Sequence, residues 1–344
     1  MQVSFLIGNG FDRGLGLRTS FRDFFPVYCK EASGSPEVEA FKDLLRADGG
    51  FDRWSDFERA LGIHTDQPPL NQEDSLENCL EDFERSFAGY LEREAARIDY
   101  AASGRILWED FARDLSTYRS RLERNFYEEA EKRRPSNCPM TFHLLDFNYT
   151  NVLDQLADRL QGHSIINRSC HIDHLGELVH VHGTTQEAML IGVDNIWQVN
   201  NPGLFTSVSQ QRLLVKPQLN QQCGCGNDSR AIRCIQNSDE ICVFGMSLGE
   251  TDGTWWRLLL EWLEGRIDRQ LLLFFHASRS IVQFPNRLIR RREKWKKLFF
   301  DRAGATPADR EKLENRVYAA GSYGLFDLQP VLLDSSRTKV GAGG

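Results

Sequence analysis

The sequence predicts an α/β protein: a doubly wound, Rossmann-like parallel sheet carrying a large all-helical insertion. Three observations carry this. Short apolar runs without charge alternate with amphipathic stretches of helical period, the pattern of a parallel sheet covered on both faces. The first such run ends in a glycine pair, and later ones also end in glycine or polar clusters. Between the first and second runs, residues 35–134 carry helical periodicity only.

Taken in order, Val3–Ile7 is short, β-rich and uncharged, and reads as a buried strand. Gly8 and Gly10 follow and permit a sharp turn. Thr19 or Ser20 caps a helix running to Tyr28. Ser35-Pro36-Glu37 starts another, with proline at the first helical position. Ser55-Asp56-Phe57-Glu58 has the form of a capping box beneath Trp54. Leu76, Leu80, Phe83, Phe87 and Leu91 recur at helical spacing, as do Leu107, Phe111, Leu115, Tyr118, Leu122 and Phe126. These two long helices can pair as a hairpin, with their aromatic stripe as its core. The β signal returns at Thr141–Phe147, and Thr150 caps a helix whose Leu153, Leu156 and Leu160 share one face. Leu178–His182 and Met189–Val193 read as strands. Residues 200–239 are rich in glycine, glutamine and asparagine and read as loop with one short helix. Ile241–Phe244 and Leu271–Phe275 are strands, separated by a helix bearing Trp255, Trp256, Leu259, Trp262 and Leu263. Arg287–Phe300 is helical. The resulting division places a nucleotide-binding domain at 1–34 and 135–334, the helical insertion at 35–134 and a disordered tail at 335–344.

Composition narrows the function classes. Lysine and arginine number 42 against 49 aspartates and glutamates, a net charge of -7 over 344 residues, which argues against general nucleic-acid binding. The basic run from Arg287 to Lys297 is amphipathic and reads as a solvated helix face. No window has the length of a membrane span, and the opening apolar run is too short for an export signal. Scattered cysteines, several inside apolar runs, fit a reducing cytoplasm better than a disulfide scaffold.

In a parallel sheet, ligands bind beyond the C-terminal strand ends. Four clusters fall there: Gly8–Asp12, Asn148–Thr150, His180–Gly183 and Gly245–Gly249. The first has the form of a phosphate cradle. His182 has the pKa range of a general base, and Asn148 can both donate and accept. Asp12, Asn148, Ser247 and Asp252 each also fit a plain capping role. His180 is expected on the opposite face of the sheet from His182, in a structural role. Cys170-His171-Ile172-Asp173-His174 reads as a loop with solvated histidines, so no metal is expected. Gly245-Met246-Ser247-Leu248-Gly249 also fits the nucleophile elbow of an α/β hydrolase, with Ser247 as nucleophile and His276 as its base.

Together, Gly8-Asn9-Gly10-Phe11-Asp12, Gly16-Leu17, Phe147-Asn148-Tyr149-Thr150, His180-Val181-His182-Gly183 and Gly245-Met246-Ser247-Leu248 with Asp252 resemble the signature of the AbiH abortive-infection family of bacteria. Trp54-Ser55-Asp56-Phe57-Glu58 extends the likeness. More distantly the clusters resemble the sirtuin-like NAD-binding fold, in which Gly16-Leu17 matches a Gly-Ile pair and Gly245-Met246-Ser247-Leu248 a Gly-Thr-Ser-Leu turn. Two departures stand out: Arg18-Thr19-Ser20-Phe21 replaces the sirtuin Pro-Asp-Phe-Arg, and Asp12 replaces a serine. The sirtuin zinc ribbon has no counterpart in Cys223-Gly224-Cys225 and Cys234. The resemblance implies a cytoplasmic anti-phage effector that hydrolyses NAD, with Asn148 and His182 as the catalytic pair. It implies NAD contacts from Gly8, Asn9, Gly10, Phe11, Asp12, Gly16, Tyr149, Thr150, Gly183, Gly245, Ser247, Leu248 and Asp252. The partners expected are NAD or a related nucleotide, a phage-derived trigger or second defence protein, and further copies of the chain in a homo-oligomer. A non-catalytic nucleotide sensor or partner-dependent toxin is the alternative.

Overall fold

A computed structural model describes residues 1–47, 57–133, 135, 138–160, 165–166, 172–223, 226–277 and 284–334. Among these, seven strands form one sheet: β1 (Gln2–Ile7), β2 (Thr141–Asp146), β3 (Ile165–Ile166), β4 (Ile172–His180), β5 (Glu240–Phe244), β6 (Gln270–Phe275) and β7 (Val317–Gly321). Their order is β3-β4-β2-β1-β5-β6-β7. All neighbours pair in parallel except β3, which runs antiparallel to β4 at the edge. The six parallel strands have the doubly wound, Rossmann-like order, which reverses between β1 and β5.

Register decides what the strand ends bring together. Ile7 is level with Asp146 on one side and Phe244 on the other, and Asp146 is level with His180. The residues that follow these four positions therefore emerge side by side at one rim.

Alternation along the strands feeds two cores. Val3, Phe5 and Ile7 pack with Phe142 and Leu144 under Leu107, Phe111 and Leu115 of helix Tyr100–Thr117 and Leu153 and Leu156 of helix Val152–Leu160. Leu6, Leu145, Val243 and Leu273 face the other way, under Ile235, Trp256, Leu259 and Phe299. A third core belongs to helices Phe21–Tyr28, Pro36–Ala47, Phe57–His64 and Glu73–Ala95, and it also takes in Ile191, Val193 and Val215 from beyond β4.

Several local expectations change. The two long helices do not form a hairpin: Glu73–Ala95 buries its stripe in the helical core, whereas Tyr100–Thr117 turns its stripe to the sheet. Gly104, at φ 64°, interrupts the second helix. Met189–Val193 is not a strand. Its apolar alternation serves the third core, and only Val193 makes a bridge, to Val215. Residues 200–239 hold helices Val208–Gln211, Lys216–Cys223 and Asn227–Asn237 and a 3-10 turn at Pro202–Phe205, where loop with one short helix was expected. Helix Pro307–Leu313, opened by a Thr306–Asp309 capping box, and β7 are further additions. Ser20, with Asp23, caps helix Phe21–Tyr28 as expected. Trp54, Ser55, Asp56, Cys170, His171, Gly224, Cys225 and the segment 335–344 lie outside the described residues. Among the described residues no helix is long and apolar enough to cross a membrane.

Candidate functional site

The glycines of the first and last clusters pack against each other. The Gly8 N–H donates to Phe244 O, the Gly10 N–H to Gly245 O and the Phe11 N–H back to Gly8 O. A Cβ on Gly10 would stand 2.5 Å from Gly245 Cα, and Gly245 itself has φ 71°. Glycine is required here by a close approach of two turns at the reversal between β1 and β5. The Gly8, Gly10 and Phe11 amides are therefore spent within the protein. Phe11 is core, its ring against Phe111, Phe244 and Phe326. Asn9 accepts a hydrogen bond from Thr19, and Gly16 turns the chain at φ 84°.

Asp12 enters a buried polar cluster. Thr150 donates its hydroxyl to Asp12 Oδ2 at 2.7 Å, so Thr150 ties two turns together where it was expected to cap the following helix. Burial lifts the Asp12 carboxyl to about 6, with the Thr150 hydrogen bond acting in the other direction. Asp146 ends β2 beside it, also pushed upward by burial, with His180 opposing and Asp12 reinforcing the shift. His180 stands between two carboxylates: Nδ1 is 3.6 Å from Asp146 and Nε2 2.9 Å from Asp154. Burial pulls its pKa down, but its hydrogen bond to Asp154 and the charge of Asp146 more than offset that.

His182 belongs to a different set of contacts. Residues two apart on an extended strand share a face; here β4 stops at His180 and the chain turns, which sends the two rings apart. His182 lies edge-on to Phe147, with Nε2 3.8 Å from Asp252. Asp252 also accepts from Lys216 Nζ at 3.2 Å, and Lys216 reaches Glu58 Oε2 at 2.9 Å. Tyr149 donates to Leu190 O at 3.1 Å and lies 3.5 Å from Glu58. Glu58 comes from helix Phe57–His64, Lys216 from helix Lys216–Cys223, Asp252 from the β5 turn and His182 from the end of β4. This row of charges thus joins the helical part to the sheet rim. Burial first, then the nearby Lys216, lowers the His182 pKa to about 3, so its imidazole is neutral. Burial depresses Lys216, but Asp252 and Glu58 reverse the shift and keep the ammonium charged.

Asn148 lies between these groups in sequence and position. Its N–H donates to Asp146 Oδ1 at 3.0 Å. The residue is 5% exposed, and neither Oδ1 nor Nδ2 has a hydrogen-bond partner among the described residues. A buried carboxamide left unsatisfied costs about 1–3 kcal/mol, so it marks a place where a ligand group or water belongs. Gly183, at φ 75°, lets the chain leave His182 beneath Ala188 O.

The last cluster divides. Leu248 is core and adopts φ 54°, whereas Ser247 is exposed. The strained residue is thus the one after the serine, and Asp252 serves Lys216 and His182. This is a different arrangement from a nucleophile elbow working with His276.

Sequence reading missed Lys216, which sits in a polar stretch with no motif, and it took Glu58 for a helix-capping residue. Only the 158-residue separation of that pair, closed by the fold, reveals the contact.

Fold and rim define an α/β protein of Rossmann-like sheet order with a buried polar centre beyond the strand ends. The chain belongs to the family described as bacteriophage abortive infection AbiH, whose model matches residues 4–271. It is an abortive-infection, anti-phage protein. A comparison with curated proteins gave no match.

Proposed function

We propose that this AbiH protein binds NAD, or a related dinucleotide, at the sheet rim and hydrolyses it to ADP-ribose and nicotinamide in the infected cytoplasm. The observation that carries the reading is the buried Asn148 carboxamide with both polar atoms free, at the C-terminal end of β2. Such a group can donate to a ribose hydroxyl and accept from a water. In the reaction the C1′–N bond breaks, its electron pair passes to the pyridinium nitrogen and nicotinamide leaves neutral. Water oxygen bonds to C1′, and its proton goes to His182 Nε2 and on to solvent. His182 is unprotonated, but burial and Lys216 make it a weak base in this state; Asp252 at 3.8 Å acts against that shift and stabilises the imidazolium as it forms. Phosphate contacts would come from groups other than the Gly8, Gly10 and Phe11 amides, which are already bonded. A phage-derived trigger or second defence protein, and self-association, complete the proposal.

Incubation of purified protein with NAD, alone and with lysate of phage-infected cells, tests it. Nicotinamide release is expected, and Asn148→Ala or His182→Ala should abolish it without lowering the melting temperature. Release that survives both substitutions would remove the pair from the reaction. One observation favours a second reading, the non-catalytic sensor: His182 is only 7% exposed and Asn148 less, so the pair is closed off in this conformation. NAD binding that needs Asn148 but gives no nicotinamide under either condition would select it.

A further inference from the structure

Between helices Tyr100–Thr117 and Val152–Leu160 an open cavity of about 540 Å³ is lined by Tyr100, Gly104, Arg105, Trp108, Asp158 and Arg159. We propose that this cavity is a nucleotide site separate from the Asn148 centre, with Tyr100 and Trp108 as ring platforms and Arg159 as the phosphate ligand.

Four observations carry it. Each aromatic ring already has a guanidinium over its face: Arg159 lies 5.2 Å from the Tyr100 centroid and Arg105 5.9 Å from that of Trp108. Both rings also pack on the sheet-side core, which fixes them as platforms. Arg105 is paired with Glu109, but Arg159 is in no ion pair among the described residues, although it is partly buried. An unpaired planar cation beside a cavity suits the oxygens of a phosphate, which it can take in a fork. The Tyr100 hydroxyl is buried without a hydrogen-bond partner among the described residues, so Tyr100 offers the open cavity its ring and not its hydroxyl. Finally, Gly104 breaks the helix at φ 64° in the cavity wall, and a Cβ there would meet nothing within 4 Å. The missing side chain leaves the entrance clear. The hollow is open to solvent on its outer side, so a nucleotide would lie along it rather than be enclosed. The cavity belongs to the helices over Val3, Phe5 and Ile7, whereas His182 packs on the opposite side with Phe147.

Isothermal titration of the full chain with ADP tests this, beside inorganic pyrophosphate and adenosine. ADP is expected to bind more tightly than either fragment. Arg159→Gln should weaken ADP about tenfold or more, as loss of a charged hydrogen bond does. Trp108→Phe keeps the packing and should weaken ADP less. The proposal falls if ADP does not bind at millimolar concentration, or if pyrophosphate binds as tightly as ADP. It also falls if Arg159→Gln has no effect. ADP binding lost in Asn148→Ala but kept in Arg159→Gln would place the nucleotide at the rim and overturn this site while leaving the rim reading intact.

Discussion

The Thr150 hydroxyl donates to Asp12 Oδ2 across 2.7 Å, joining the turn after β2 to the turn after β1. The acceptor is almost wholly buried and carries a carboxyl raised from 3.8 to about 6 by burial, with Thr150 opposing.

That shift fixes a pH dependence. The unfolded chain titrates near 3.8, the folded one near 6. Between those values the folded protein holds a proton that the unfolded chain has released. Stability from this group is present below about pH 4, falls as pH rises to about 6 and is level above, by on the order of 3 kcal/mol. Asp146, also raised by burial, adds a slope of the same sign. Asp12→Asn should flatten part of this fall in thermal melts between pH 4 and 8. An unchanged slope would assign the titration elsewhere.

Lys216 neutralises two carboxylates, the buried Glu58 and the half-buried Asp252. Lys216→Met should destabilise the fold by about 3–5 kcal/mol in urea unfolding, because Glu58 stays buried without a cation. Adding Glu58→Gln should recover part of the loss. The same single variant should raise the His182 pKa, read by NMR titration, since Lys216 is one of the groups holding it down. A His182 resonance that does not move would separate the two residues electrically.

Asn148→Ala should be neutral or stabilising, within about 1 kcal/mol, because it removes two buried atoms that have no partner. Calorimetry without ligand checks this. A loss above about 2 kcal/mol would mean that the carboxamide holds the fold together.

Gly10→Ala should cost about 1–3 kcal/mol by overpacking, since its Cβ would press on the Gly245 backbone. Gly104→Ala, strained in φ but with open space around it, should cost about 1 kcal/mol. Equal melting temperatures for the two variants would argue against the contact between turns.

The legible parts of the fold were those whose signal is local. β1, β5 and β6 are largely continuous apolar runs bounded by turn residues, and Asn148 follows just after the β2 stretch Thr141–Phe147. β7 reads Val-Tyr-Ala-Ala-Gly, and its alanines and terminal glycine give little β signal. Met189–Val193 has the periodicity of a strand but spends it on a helical core, because alternation reports burial and not pairing. Of the charges around His182, Asp252 was named with the rim clusters, but Lys216 and its link to Glu58 were not legible, for another reason. Glu58, His182, Lys216 and Asp252 come from four elements, and no spacing rule connects them.

The position of β1 carries a consequence for biosynthesis. It is the central strand, yet Val3 must wait for Phe142 on one flank and Glu240 on the other. At roughly 5–20 residues per second, a ribosome takes about 12–50 seconds to deliver the second neighbour. Until β2 is made the nascent chain carries an apolar β-segment with both hydrogen-bonding edges bare, and until β5 is made one edge stays bare, so the helices made before β2, Leu107 and Phe111 among their core residues, are the first cover available to it.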